Sequence, residues 1–327
     1  MRAYKKLILA ALLLTFILVP LGAFVRLSDA GLGCPDWPGC YGQLTPHHAA
    51  DEIDAALQAN PDGVVSYDKA WKEMGHRYVA GILGLLVLAI FVMAWRNRAH
   101  TQAGIGLPAL LLGVIVFQAL LGMWTVTELL KPVIVTAHLL GGMTTLALLV
   151  WLWRREGATR SQAAYFAPVR HLRGPITLGL MLVFVQIALG GWVSANYAAL
   201  ACSDFPTCQG QWWPAMDFTQ GFTLHRELGE TASGELLSLQ ALTAIHWTHR
   251  LMALMVTLYL LWLAARLFKI SGYARIAVML LATLGGQILL GVSNVVFSLP
   301  LPVAVAHNIG GAILLAGMVM LRYKVKD

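Results

Sequence analysis

Long uncharged apolar runs alternate along this chain with shorter polar segments. Eight runs stand out, approximately Leu7–Val25, Tyr78–Trp95, Gly106–Val126, Pro132–Trp153, Gly174–Ala195, Leu242–Ala265, Ile276–Ser298 and Pro302–Leu321. A helix needs about 20 such residues to cross hydrocarbon, where backbone groups find no partners except one another. The pattern predicts eight transmembrane helices. The second and sixth are expected to begin earlier, because a polar, helix-compatible turn with His and Arg precedes each. Arg2, Lys5 and Lys6 ahead of the first run resemble a secretion signal. That run is long for one and lacks a small-x-small cleavage site, so it is read as a retained helix.

Composition agrees: of 327 residues, 58% are hydrophobic and only 12% charged, against roughly 25% charged in soluble domains. Soluble, disordered, collagen-like and coiled-coil classes are excluded. The net charge of +7 would suit nucleic acid if the cations clustered, but they fall on alternate connections. Arg2, Lys5, Lys6, Arg96, Arg98, Arg154, Arg155, Arg160, Arg170, Arg173, Arg266, Lys269, Arg275, Arg322, Lys324 and Lys326 lie on one side of eight crossings. With them are only Glu156 and Asp327 of the 16 acids. The positive-inside rule makes that side, and both termini, cytoplasmic in a cell (inner) membrane. Nucleic acid is not an expected partner; membrane lipid is. The opposite side carries two long connections, about 26–77 and 196–241, and tight turns near 128–131 and 299–301.

The chain also matches itself. Cys34-Pro-Asp-Trp-Pro-Gly-Cys-Tyr-Gly-Gln-Leu-Thr-Pro46 lies over Cys202-Ser-Asp-Phe-Pro-Thr-Cys-Gln-Gly-Gln-Trp-Trp-Pro214 at an offset of 168, as Leu21-Gly22 does over Leu189-Gly190. Gln118-Ala-Leu-Leu-Gly122 meets Gln287-Ile-Leu-Leu-Gly291 at 169, with His138 on His307, and His76-Arg77 meets His249-Arg250 at 173. The fold class is therefore all-α: two tandem four-helix bundles related by pseudo-twofold symmetry along the membrane normal. The expected division is 1–155, a cytoplasmic linker at 156–172, and 173–327.

Intramembrane histidines are costly without a partner, and four of ten recur between the halves. His76 precedes Arg96 by 20 residues, His138 precedes Arg154 by 16, His249 precedes Arg266 by 17 and His307 precedes Arg322 by 15. At about 1.5 Å per residue all four sit near the outer edge of the hydrocarbon. Each half then offers one imidazole from its second helix and one from its fourth. That arrangement suits axial ligation of one haem iron per half. Zinc would want more ligands or thiolates. Two haems side by side at one depth do not carry electrons across a membrane. Arg77 and Arg250 follow the ligands, within reach of haem propionates.

The halves differ at one telling place: Glu73, one turn before His76, has His246 as its counterpart. Glu73 is the candidate catalytic group, and an ion pair with Arg77 is the structural reading of the same residue. Cys34/Cys40 and Cys202/Cys208 form two pairs in non-cytoplasmic loops, where disulfides persist. They brace the loops or exchange electrons. His47 and His48 offer weak metal binding.

These residues, in particular Gly31-Leu-Gly-Cys-Pro-Asp-Trp-Pro38, Glu73-Met-Gly-His-Arg77, the His138 helix, His246-Trp-Thr-His-Arg250 and Ala306-His-Asn308, resemble the haem A synthase family over essentially the whole chain. The resemblance implies oxidation of the C8 methyl of haem O to the formyl of haem A for cytochrome oxidase. His76 and His138 would ligate the substrate haem, with Glu73 as catalytic carboxylate, and His249 and His307 a haem b cofactor. Haem O synthase and an electron-transfer partner follow only from the implied pathway. Competing classes are a dihaem b-type electron-transfer protein, a membrane thiol-disulfide oxidoreductase and a haem carrier.

Overall fold

The computed structural model describes residues 2–61, 65–157 and 169–325; Arg160, Lys326, Asp327 and most of the expected linker lie outside them. The long helices are α1 (Arg2–Leu27), α3 (Tyr67–Arg96), α4 (Gly106–Thr127), α5 (Pro132–Gly157), α6 (Arg173–Ala195), α8 (Leu239–Phe268), α9 (Ala274–Val296) and α10 (Leu301–Lys324). Two short helices, α2 (Ala50–Ala59) and α7 (Phe218–Gly221), lie in the long connections. All eight long helices have the length and composition to span a bilayer, with mean hydropathy between 1.8 and 2.7 over their best windows. The protein is a multi-pass membrane protein.

The second helix of each half outruns its apolar stretch, as expected. α3 and α8 each have 30 residues, roughly 45 Å at helical rise, which exceeds the ~30 Å hydrocarbon thickness. Serines cap the added turns: Ser66 Oγ accepts from the Lys69 amide at 3.3 Å, and Ser238 Oγ from the Ala241 amide at 3.2 Å. The α3 extension carries Glu73-His76-Arg77, and the first turns of the α8 apolar run carry His246-His249-Arg250, both at the end bearing the long loops.

Helix neighbours come in matched sets. α1, α3, α4 and α5 close one ring, and α6, α8, α9 and α10 close a second. Between rings, α1 touches α10, α5 touches α6, and α5 touches α10. Exchanging the halves maps this set onto itself, with α5 and α10 at the centre. Leu146, Leu149 and Leu152 of α5 and Leu315, Met318 and Val319 of α10 are buried there. Outward, Leu13, Ile17, Leu85, Val116, Leu258 and Leu289 are exposed, an apolar surface that lipid covers at no cost and water does not.

The two cysteine loops are near copies. Asp36 accepts from the Tyr41 and Gly42 amides at 2.6 and 2.8 Å. Asp204 accepts from those of Gln209 and Gly210 at 2.6 and 3.0 Å. Tyr41-Gly42 and Gln209-Gly210 all take positive φ, the left-handed turn glycine permits. Both disulfides form, Cys34–Cys40 and Cys202–Cys208, with all four cysteines fully buried.

Candidate haem-binding site

The loop of the first half is fastened to α3 by the residues singled out for chemistry. Gly33 lies so close to α3 that a β-carbon on it would stand 2.6 Å from the Lys69 carbonyl carbon. This approach brings the Cys34 amide to Glu73, whose Oε2 accepts from it at 2.9 Å. The other carboxylate oxygen pairs with Arg77 Nη2 at 2.5 Å, so the ion pair weighed as the alternative to a catalytic role forms. Arg77 Nη1 then donates to the carbonyls of Asp36 at 2.8 Å and Gly39 at 2.6 Å.

The second half repeats this clamp with another partner. Arg250 Nη1 donates to the carbonyls of Asp204 and Thr207 at 2.9 and 2.8 Å, and Nη2 to that of Cys202 at 3.0 Å. Its Nε donates to His246 Nε2 at 3.1 Å. His246 therefore fills the place of Glu73 as partner of the clamp arginine, and His249 is left as the repeat-matched imidazole. In the loop itself, the Thr207 hydroxyl and the surrounding amides hold the Asp204 carboxyl below the usual carboxylate range. Sequence reasoning missed the loop contacts of Arg77 and Arg250, because backbone carbonyls as acceptors leave no mark in the side-chain pattern.

His76 on α3 faces His138 on α5, with ring centroids 6.5 Å apart and planes at 78°. A metal bound by each ring nitrogen at about 2 Å puts the ring centres roughly 6 Å apart. The pair has the spacing to share one iron. Nδ1 of both rings is buried without a hydrogen-bond partner among the described residues. His249 on α8 and His307 on α10 stand at the matching positions of the second half. All four histidines, with Glu73, Arg77 and Arg250, line one cavity of about 1750 Å³ that runs through both halves. That exceeds the roughly 300–1,000 Å³ of single-ligand pockets. Gly122, Met143, Ile187 and Leu284 are among its apolar lining. Trp37 and Trp213 from the two loops contribute to its loop end. Imidazole pairs, an apolar wall and cations at the loop end fit two tetrapyrroles with carboxylate edges.

Elsewhere the candidates are modest. His48 Nδ1 is hydrogen-bonded to Thr45 Oγ1 at 2.7 Å. Among the described residues no group of three or more His, Cys, Asp or Glu could hold a metal ion.

Eight apolar spans around a cavity lined by the four repeat-matched histidines define a multi-pass membrane protein with a candidate haem-binding site. The chain belongs to the cytochrome oxidase assembly protein family, whose model matches residues 5–319. It is 40% identical over 312 residues to the Heme A synthase of Shewanella oneidensis, covering 95% of this chain and 93% of that protein. It is 31% identical over 230 residues to the Heme A synthase of Shouchella clausii, covering 69% and 70%. With that of Paracoccus denitrificans it shares 27% over 334 residues, 94% and 84% of the two chains.

Proposed function

We propose that this chain is a haem A synthase, an enzyme of haem A biosynthesis that oxidises a ring methyl of haem O to a formyl group. The observation that carries the reading is the His76–His138 pair, 6.5 Å between ring centres, one turn of helix from Glu73. His76 and His138 hold the substrate haem by its iron. His249 and His307 would hold a haem b, which when bound would supply one-electron redox chemistry. Both sites lie toward the loop end, which the basic residues at the other end make extracytoplasmic.

Glu73 stands in the cavity with both oxygens engaged, by Arg77 and by the Cys34 amide. A carboxylate fixed in this way is preorganised to stabilise positive charge developing at the carbon being oxidised. Its orientation depends on the loop, so the disulfide, the Cys34 amide and Arg77 act on chemistry through Glu73. A propionate contact by Arg77 or Arg250 shares a guanidinium whose first duty is the loop. The burial of all four sulfurs favours bracing over thiol exchange, because exchange needs an accessible thiolate.

Mass spectrometry of haem extracted from cells that make haem O, with and without this chain, tests the assignment. Haem A is expected only with the chain. Unchanged haem O in both would leave a dihaem electron-transfer protein instead.

A further inference from the structure

We infer that the repeated Gln-x-x-x-Gly segments of the bundle, with Gly22 of α1, position the haem ligands: glycine seats each imidazole ring, and glutamine fixes the ligand helix beneath it. This rests on the haem-ligation reading above. A β-carbon on Gly22 would stand 3.0 Å from His76 Cε1, on Gly122 3.3 Å from His138 Cε1, on Gly190 3.1 Å from His249 Cε1, and on Gly291 3.2 Å from His307 Cε1. In all four cases the nearest atom is the same ring carbon, presented by a neighbouring helix. Helical glycines in membranes ordinarily let backbones approach each other. Here the nearest neighbour is an imidazole each time, while Gly81, Gly113, Gly285 and Gly286 meet nothing within 4 Å.

Cε1 is bonded to both ring nitrogens, so the nitrogen that ligates moves with it. A methyl group placed inside the ~3.5–4.0 Å contact optimum pushes Cε1 and that nitrogen by several tenths of an ångström. Metal–ligand distances tolerate about 0.2 Å. The ligand bond is therefore lost or distorted before the helix packing is.

Glutamine sits four residues ahead of the glycine in three of the four cases. Gln118 Nε2 donates to the His138 carbonyl at 2.9 Å. Gln186 Nε2 lies 3.2 Å from the His249 carbonyl and 3.1 and 3.3 Å from its ring Nδ1 and Nε2. Gln287 packs its amide on Gly310 and Gly311, as Gln118 does on Gly141 and Gly142. A side chain at Gly141 or Gly310 would collide with that amide, so His-x-x-Gly-Gly on α5 and α10 completes the device. α1 carries Leu18 where the others have glutamine. The unpinned ligand is His76, in the half assigned to the haem that must leave as product.

The test uses the full chain purified from membranes making haems b and O. The readouts are protein yield, extracted haem per chain by type, and the low-spin electron paramagnetic resonance signal. Gly190→Ala and Gly291→Ala are expected to lower haem b at least fivefold or shift its low-spin signal. Gly22→Ala and Gly122→Ala should lower haem O plus haem A likewise and leave haem b unchanged. Gly113→Ala and Gly285→Ala should match the parent. Parent haem content and signals in all four seat variants would overturn the inference. Where an alanine variant is not recovered, Gln186→Leu substitutes, since it removes the pin without crowding the ring. It should shift the haem b signal at normal yield, and an unchanged signal would overturn the inference too. Retention of haem b by His249→Ala would instead reject the ligation reading itself.

Discussion

Glu73 and His246 occupy one position in two copies of the same clamp, and on the proposed function the difference between them separates chemistry from scaffolding. Each engages the arginine four residues on, and each arginine grips a cysteine loop through its carbonyls. A clamp alone is satisfied by either residue. Of the two, Glu73 alone brings a carboxylate to the cavity, one turn from His76. Glu73→Gln is expected to keep both haems near parent levels, because the amide oxygen still accepts from Cys34. Haem A output should fall by about a hundredfold or more, the usual loss when one electrostatic contact to a transition state is removed. Normal haem A from this variant would remove Glu73 from the mechanism. Arg250→Leu separates the other role. It strands the carbonyls of Asp204 and Thr207 and should cost roughly 3 kcal/mol of stability, read as a lower thermal midpoint.

Among elements, the cysteine loops act as lids fastened at three points: disulfide, arginine clamp and Asp-centred turn. Closing a loop at a sequence separation of 6 is worth about 2 kcal/mol in the chain-entropy account. The Cys202→Ser/Cys208→Ser double variant should therefore unfold at lower temperature yet still make haem A. Abolished synthesis at unchanged stability would mean that this pair exchanges electrons. The eight spans were legible because lipid imposes one rule on every backbone group. The α3 and α8 extensions were legible from the polar turns ahead of their apolar runs. α2 was not, since ten residues around the lone buried Ile53 give no periodic stripe. The histidines, Glu73 and the cysteine pairs stood out because such residues are rare in apolar sequence. Gly22, Gly122, Gly190 and Gly291 were visible as repeat matches but mute as to purpose, because glycine in a membrane helix is common and its meaning lies in what it faces.

At the scale of the whole molecule, the repeat brings corresponding residues together where the halves meet. Arg26 Nη2 donates to the carbonyl of Ser194 at 2.8 Å, and the Tyr197 hydroxyl donates to Asp29 at 2.8 Å, both pairs 168 positions apart. Residues related by the duplication offset can touch only close to the axis relating the copies. The proposed axis then runs past the loop ends of α1 and α6, and the cavity is lined by histidines of both halves. On the proposed ligation, two irons would share one depth. A membrane-impermeant paramagnetic agent added on the loop side of oriented vesicles should then shorten the relaxation of both low-spin haem signals alike. Added on the basic side, across most of the hydrocarbon, it should shorten neither. Strong relaxation of one iron from each side would place the haems at different depths. That is the arrangement of a transmembrane electron carrier, and the duplicated histidine positions do not provide it.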